Sequence, residues 1–218
     1  MGRAAGIVAG ISGADGFVLT NYAAVPATSN CVTIRVARIG TSSLGHPATL
    51  VARDKSSGLV LLRVAQISYL SKTSAAFRAG VGVGAGETVV GVGLPRMGGV
   101  YKIDSVIGTA GVETLPGDGG RLLRVTTSGP SLSGPGPLLD HAGNTVGMIV
   151  EKRAAMTVLG LKRKVPFSEN FAVGVRTIRA FLDAKSVRYN SVGPGTAMRM
   201  AVLAKAAYDY TVSVTCWD

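Results

Sequence analysis

Residues 121–150, RLLRVTTSGPSLSGPGPLLDHAGNTVGMIV, read as three apolar runs, RLLRVTT, PLLD and TVGMIV, separated by clusters of Gly, Ser, Pro, Asp and Asn. Runs of this length, rich in Val, Leu, Ile and Thr and bounded by turn formers, are the pattern of short strands joined by tight loops. The same rhythm extends both ways. Upstream it continues through GIVAGIS, GFVLTN, CVTIRVA, ATLVARD, LVLLRVA, ETVVGVGL and YKIDSVIGTA, and downstream through NFAVGV. About eleven strands with no helical pattern between them exclude alternating βα folds and point to an all-β barrel or sandwich. The glycine-rich GVGVGAGE at 80–87 reads as a turn before a strand, because no helix pattern follows it as a phosphate loop requires.

Beyond Val175 the period changes. RTIRAFLDA places Ile178, Phe181 and Leu182 on one helical face, and TAMRMAVLAKAAY does the same with Met200, Leu203 and Ala207. VRYNSVGPG between them reads as a linker, and YTVSVTCWD alternates like a final strand. The expected organisation is a β body over 1–175, split into barrels of about 1–85 and 86–175, with helices and a last strand over 176–218 packed on it.

A chain of 218 residues that is 47% hydrophobic is long enough to bury a substantial core. Its apolar runs are all broken well short of the roughly 20 positions that a membrane span requires, so no membrane span is expected. The strand-like start argues that MGRAAGIVAGISGADGFVLT belongs to the fold, so that any targeting peptide has been removed or was never present. Lys and Arg outnumber Asp and Glu by 23 to 12, a formal charge of +11, which favours acidic partners or simply gives a basic solvated surface. The two cysteines, Cys31 and Cys216, allow one disulfide without deciding it, and they have no metal-cluster spacing. No cofactor motif is present, and no metal site is expected: His46 and His141 stand in turn-like contexts and make an incomplete ligand set.

GADGFVLTNYAAV, ATLVARDKSSGLVLLRV, the 121–150 stretch and ENFAV recur in the order and spacing of one known plan. The chain resembles the protease domain of the Deg/HtrA-type, trypsin-fold serine proteases. The tail, FLDAKSVRY to YTVSVTCWD, is similar to an extension of some bacterial members that ends in a Cys-Trp pair. The resemblance implies a trypsin-like double six-stranded β-barrel with a short C-terminal helix–strand extension. It also implies where catalysis should lie.

In relatives the Thr-Asn of the first motif is followed, one residue later, by the catalytic His; here Ala23 holds that place. The orienting Asp should precede the Leu of LVLLRV, where this chain has Gly58. The family's Gly-Asn-Ser-Gly-Gly-Pro aligns with Leu132 to Pro137, so that Gly134 replaces the nucleophile, Leu132 the glycine that helps to form the oxyanion hole, and Pro135 stiffens the loop. Acyl transfer of this kind needs an activated hydroxyl, a base, an orienting group and preorganised N–H donors. All three side chains are absent at the matching positions, and the expectation is a pseudoprotease, a structural or binding subunit of a larger assembly. Asp54 survives as a turn residue of the family pattern.

Two rivals remain. A divergent hydrolase would use Ser133, beside the lost nucleophile, with an unrecognised base; pairing Asp140 with His141 fails because adjacent side chains diverge. A basic nucleic-acid module is the weakest reading, since aromatics are only 6% of residues and no stacking motif occurs. Lys152, Arg153, Lys162, Arg163 and Lys164 flank the apolar MTVLGL and form the candidate surface for an acidic protein partner. Exported relatives carry this tail, so the expected setting is extracytoplasmic: a periplasm or an intermembrane space, where Cys31 and Cys216 could be bonded.

Overall fold

The computed structural model describes residues 2–26, 31–41, 44–93, 96–97, 100–101, 104–114, 121–127, 135–150 and 165–217. Strands β1 (Gly2–Ser12), β2 (Asp15–Asn21), β3 (Thr33–Arg38), β4 (His46–Arg53), β5 (Leu59–Val64) and β16 (Thr211–Trp217) close one six-stranded barrel in the order β1-β16-β3-β4-β5-β2. Alternation explains the inward set: Ile34 and Val36 of β3 are buried while Thr33 and Arg35 are not. Val18, Leu62, Val212 and Val214 fill this interior with Val36, while Ile7, Leu19 and Leu61 are buried on the opposite face of the same strands, all without exposure.

The second barrel is the ring β12-β7-β10-β11-β14-β13. It is built from β7 (Thr88–Gly93), β10 (Asp104–Thr114), β11 (Arg121–Thr127), β12 (Pro137–Leu139), β13 (Thr145–Val150) and β14 (Glu169–Gly174), and the β12–β13 pairing closes it. β8 (Arg96–Met97) and β9 (Val100–Tyr101) form a small separate antiparallel pair. Val89, Val125, Leu138, Val146 and Ala172 form this barrel's own core. Val90, Val92, Met148 and Phe171 join the larger cluster that continues from the first barrel, so apolar packing runs across the junction. The fold is the trypsin-like double β-barrel that the sequence resemblance implied.

Besides the two-residue β8, two three-residue strands escaped the sequence reading. β6 (Ala76–Arg78), in the segment between the barrels, pairs in parallel with β13 and with β15 (Asn190–Val192), so the expected linker at 187–195 contains a strand. Each is three residues long, too short for a period to show. Helix α1 (Val175–Asp183) buries Val175, Ile178, Phe181 and Leu182, and α2 (Met200–Tyr210) buries Leu203, Ala207 and Tyr210. No helix among the described residues is long and apolar enough to cross a membrane.

The last strand differs from expectation in its place. β16 is a stave of the first barrel, paired with β1 from Gly2↔Cys216 to Ile7↔Thr211 and with β3 from Val212↔Arg38 to Trp217↔Thr33. Local alternation identifies a strand but carries no information about its neighbours. Cys216 points inward and is fully buried, whereas Trp217 is 45% exposed and is not a core aromatic. Cys31 and Cys216 are bonded, with their Cα atoms 5.4 Å apart.

Candidate functional site

The singled-out positions that the structure describes lie at the ends of strands. Asn21 closes β2 and holds the turn after it: its side-chain oxygen accepts from the Ala23 N–H at 3.0 Å, and its carbonyl accepts from the N–H groups of Ala24 and Val25. The Asn21 side-chain amide donates to Ile149 O at 3.0 Å, fastening this turn to β13 of the second barrel. Asn21 is buried, so these bonds satisfy groups that water cannot reach.

Gly58 lies directly beside this turn. The Tyr22 N–H donates to Gly58 O at 3.0 Å, and a Cβ at Gly58 would lie 3.7 Å from Tyr22 Cδ2. The structure therefore brings together Ala23 and Gly58, two of the positions singled out from the sequence, and sets the Tyr22 ring beside Gly58. Neither offers a proton-transfer group. Gly58 also has φ +72°, a left-handed conformation that side-chain-bearing residues adopt at a cost of about 1–2 kcal/mol.

Asp54 organises the approach to Gly58 as a turn residue. Its carboxylate accepts from the Ser56 N–H at 3.1 Å, the Ser57 N–H at 3.3 Å and both serine hydroxyls, while its carbonyl accepts from the Gly58 N–H at 2.8 Å. Partial burial raises the Asp54 pKa, but the bonds from Ser57 and Ser56 outweigh it and hold the carboxyl below its ordinary range. Burial first, and the Asp54 charge second, push the Tyr22 phenol upward against an opposing effect of Arg53. Tyr22 thus stays protonated at neutral pH, with its buried hydroxyl unpartnered. Tyr22 was missed in the sequence because only its position between Asn21 and Ala23 was legible; its packing beside Gly58 is a contact between distant segments.

Just before β12, Pro135 and Gly136 are both buried. Gly136 O accepts from Ile149 N–H at 2.7 Å, and a Cβ on Gly136 would stand 1.8 Å from Val92 O. Only glycine allows β12 to approach β7 this closely. Gly136→Ala is accordingly expected to cost roughly 1–3 kcal/mol or more through forced backbone separation. Urea denaturation checks this, and parental stability would show that the strands part cheaply. Leu132, Ser133 and Gly134 lie outside the described residues, as do Lys152, Arg153, Lys162, Arg163 and Lys164.

The histidines are not brought to this turn. His46 begins β4 rather than lying in a turn, and its ring stacks on Tyr69 with centroids 5.7 Å apart. His141 is exposed in the turn after β12, where its carbonyl accepts from the Met198 N–H at 2.8 Å. Asp140, beside it, is buried and is used by its own turn: it accepts from the N–H groups of Ala142 and Asn144, each at 2.9 Å. No group of three or more His, Cys, Asp or Glu side chains among the described residues is placed to hold a metal ion.

No protein-family model matches the chain. It is 29% identical over 207 residues to the uncharacterized protein y4bJ of Sinorhizobium fredii, a match covering 93% of this chain and 31% of that protein. The chain thus spans about a third of this relative's length. Among solved structures, the fold is similar to the active form of the Rv3671c protease from M. tuberculosis, with a TM-score of 0.57 and 18% identity over 86% of this chain and 82% of that one. It is likewise similar to Deg5, with a TM-score of 0.56 and 16% identity over 85% of this chain and 90% of the other.

Proposed function

We propose, with the trypsin-like double barrel as the premise, that this chain is a pseudoprotease: it keeps the packing of a serine protease without its catalysis and acts as a binding or structural module of a larger assembly. One observation supports the reading: Ala23 and Gly58, which the sequence resemblance aligns with the base and the orienting carboxylate, come together through the Tyr22 backbone and ring, and neither has a side chain that can move a proton. Barrel stability depends on alternating apolar staves rather than on a triad, so the fold survives such losses. The disulfide supports an oxidising, extracytoplasmic setting. The five basic residues between Lys152 and Lys164 remain the proposed contact for an acidic protein surface.

A fluorophosphonate probe tests the loss of catalysis without knowledge of any substrate. No stoichiometric labelling is expected; stoichiometric labelling at Ser133 would replace this reading with a relocated nucleophile. The combined variant Ala23→His, Gly58→Asp, Gly134→Ser is expected to remain at background activity. The left-handed backbone at Gly58 disfavours a side chain there, Leu132 and Pro135 replace the family's residues in the loop that aligns with the oxyanion hole, and loss of one correctly aimed donor costs about 100- to 1000-fold by itself. Robust hydrolysis by this variant would show that only the three side chains had been lost.

A further inference from the structure

A pocket of about 330 Å³ opens where β14 gives way to α1, bordered by Val81, Val83, Leu123, Val175 and Arg176. Gly174, the last residue of β14, lies in its wall: a Cβ there would sit in ordinary contact with Leu123, 3.6 Å from Cγ and Cδ1, so a larger side chain at 174 would extend into the pocket. Val81 is 71% exposed beside the opening, an apolar side chain left in water next to an unfilled apolar hollow. Its volume falls within the range of ligand-binding clefts, and its lining is mostly apolar with one charged group.

That charged group selects the occupant. Arg176 is exposed, the first turn of α1 contains no acidic residue, and the whole chain carries a formal charge of +11. An apolar hollow beside a cation on a strongly basic chain complements an apolar side chain flanked by carboxylates, with the charges aligning and the buried group holding. We propose that this pocket is a docking site for an acidic protein segment, which inserts one apolar side chain between Val81 and Leu123 and sets a carboxylate against Arg176. The pocket shares no lining residue with the turns that carry Ala23 and Gly58, so the proposal stands or falls independently of the pseudoprotease reading.

The test uses the intact chain and a fluorescent nonapeptide in which one leucine is flanked on each side by four glutamates, followed by fluorescence anisotropy. Binding is expected to weaken as salt rises, because exposed charge pairs are screened over about 8–10 Å at physiological ionic strength. It is also expected to fall at least tenfold when serine replaces the leucine, in Gly174→Leu, which fills the pocket, and in Arg176→Glu. Gly174 has φ −73° and ψ 157°, a conformation open to any residue, so the filling variant keeps its backbone. Val81→Ser at the exposed border supplies a second variant, expected to weaken binding several-fold, should leucine at 174 disturb folding. The proposal is overturned if the leucine peptide does not bind, if the serine peptide binds equally well, if the pocket variants leave affinity unchanged, or if a thymidylate decamer displaces the peptide as effectively as unlabelled peptide does.

Discussion

Replacing Cys31 and Cys216 together with alanine is expected to lower the unfolding free energy by about 4–5 kcal/mol. The bridge spans 185 residues, and closing a loop of that length restricts the unfolded chain by about 5 kcal/mol in the chain-entropy account. For a chain of this size such a loss lowers the melting temperature by roughly 10–20 °C. The topology makes the effect more than a terminal staple. β16 sits between β1 and β3, so releasing it exposes two strand edges and opens the barrel. Thermal unfolding of the double variant, and of the parent with and without reductant, measures this. A loss below about 1 kcal/mol would mean that the backbone ladders and buried Val212 and Val214 hold the stave without the bond.

Phe77→Ala is the other large effect, expected to cost roughly 3–5 kcal/mol because it removes a fully buried aromatic and leaves a cavity. Phe77 lies in the cluster that joins the two barrels, and its ring meets Tyr189 edge to face with centroids 5.4 Å apart. It stands on β6, whose backbone pairs with β13 on one side and β15 on the other. The substitution therefore loosens the second barrel, the segment between the barrels and the chain after α1 at one point. Denaturant unfolding should show a lower midpoint. A change under about 1 kcal/mol would show that the surrounding side chains collapse into the space.

Much of this molecule is written in local pattern. LVLLRV, TVGMIV and TVSVTCW each have the length and composition of a barrel stave, and each is one. The α1 face made by Ile178, Phe181 and Leu182 is legible for the same reason, since the 3.6-residue period needs no knowledge of the rest of the chain. The candidate site was legible only in part. TNYAAV and SSGLVLL mark Ala23 and Gly58 by resemblance, but nothing near Asn21 in the sequence announces its bond to Ile149, 128 residues away.

What the sequence by itself determined is therefore the all-β class, most of the staves, the two helices and the basic charge. Only the tertiary structure decided that β16 closes the first barrel, that Cys31 meets Cys216, that the Tyr22 ring stands beside Gly58 and that a pocket opens beside Gly174 and Leu123. The physical reason is the range of the interaction: side-chain periodicity arises from the backbone geometry of neighbouring residues. Barrel closure, disulfide pairing and pocket shape arise where segments far apart in the chain are packed together, and no local window contains both partners.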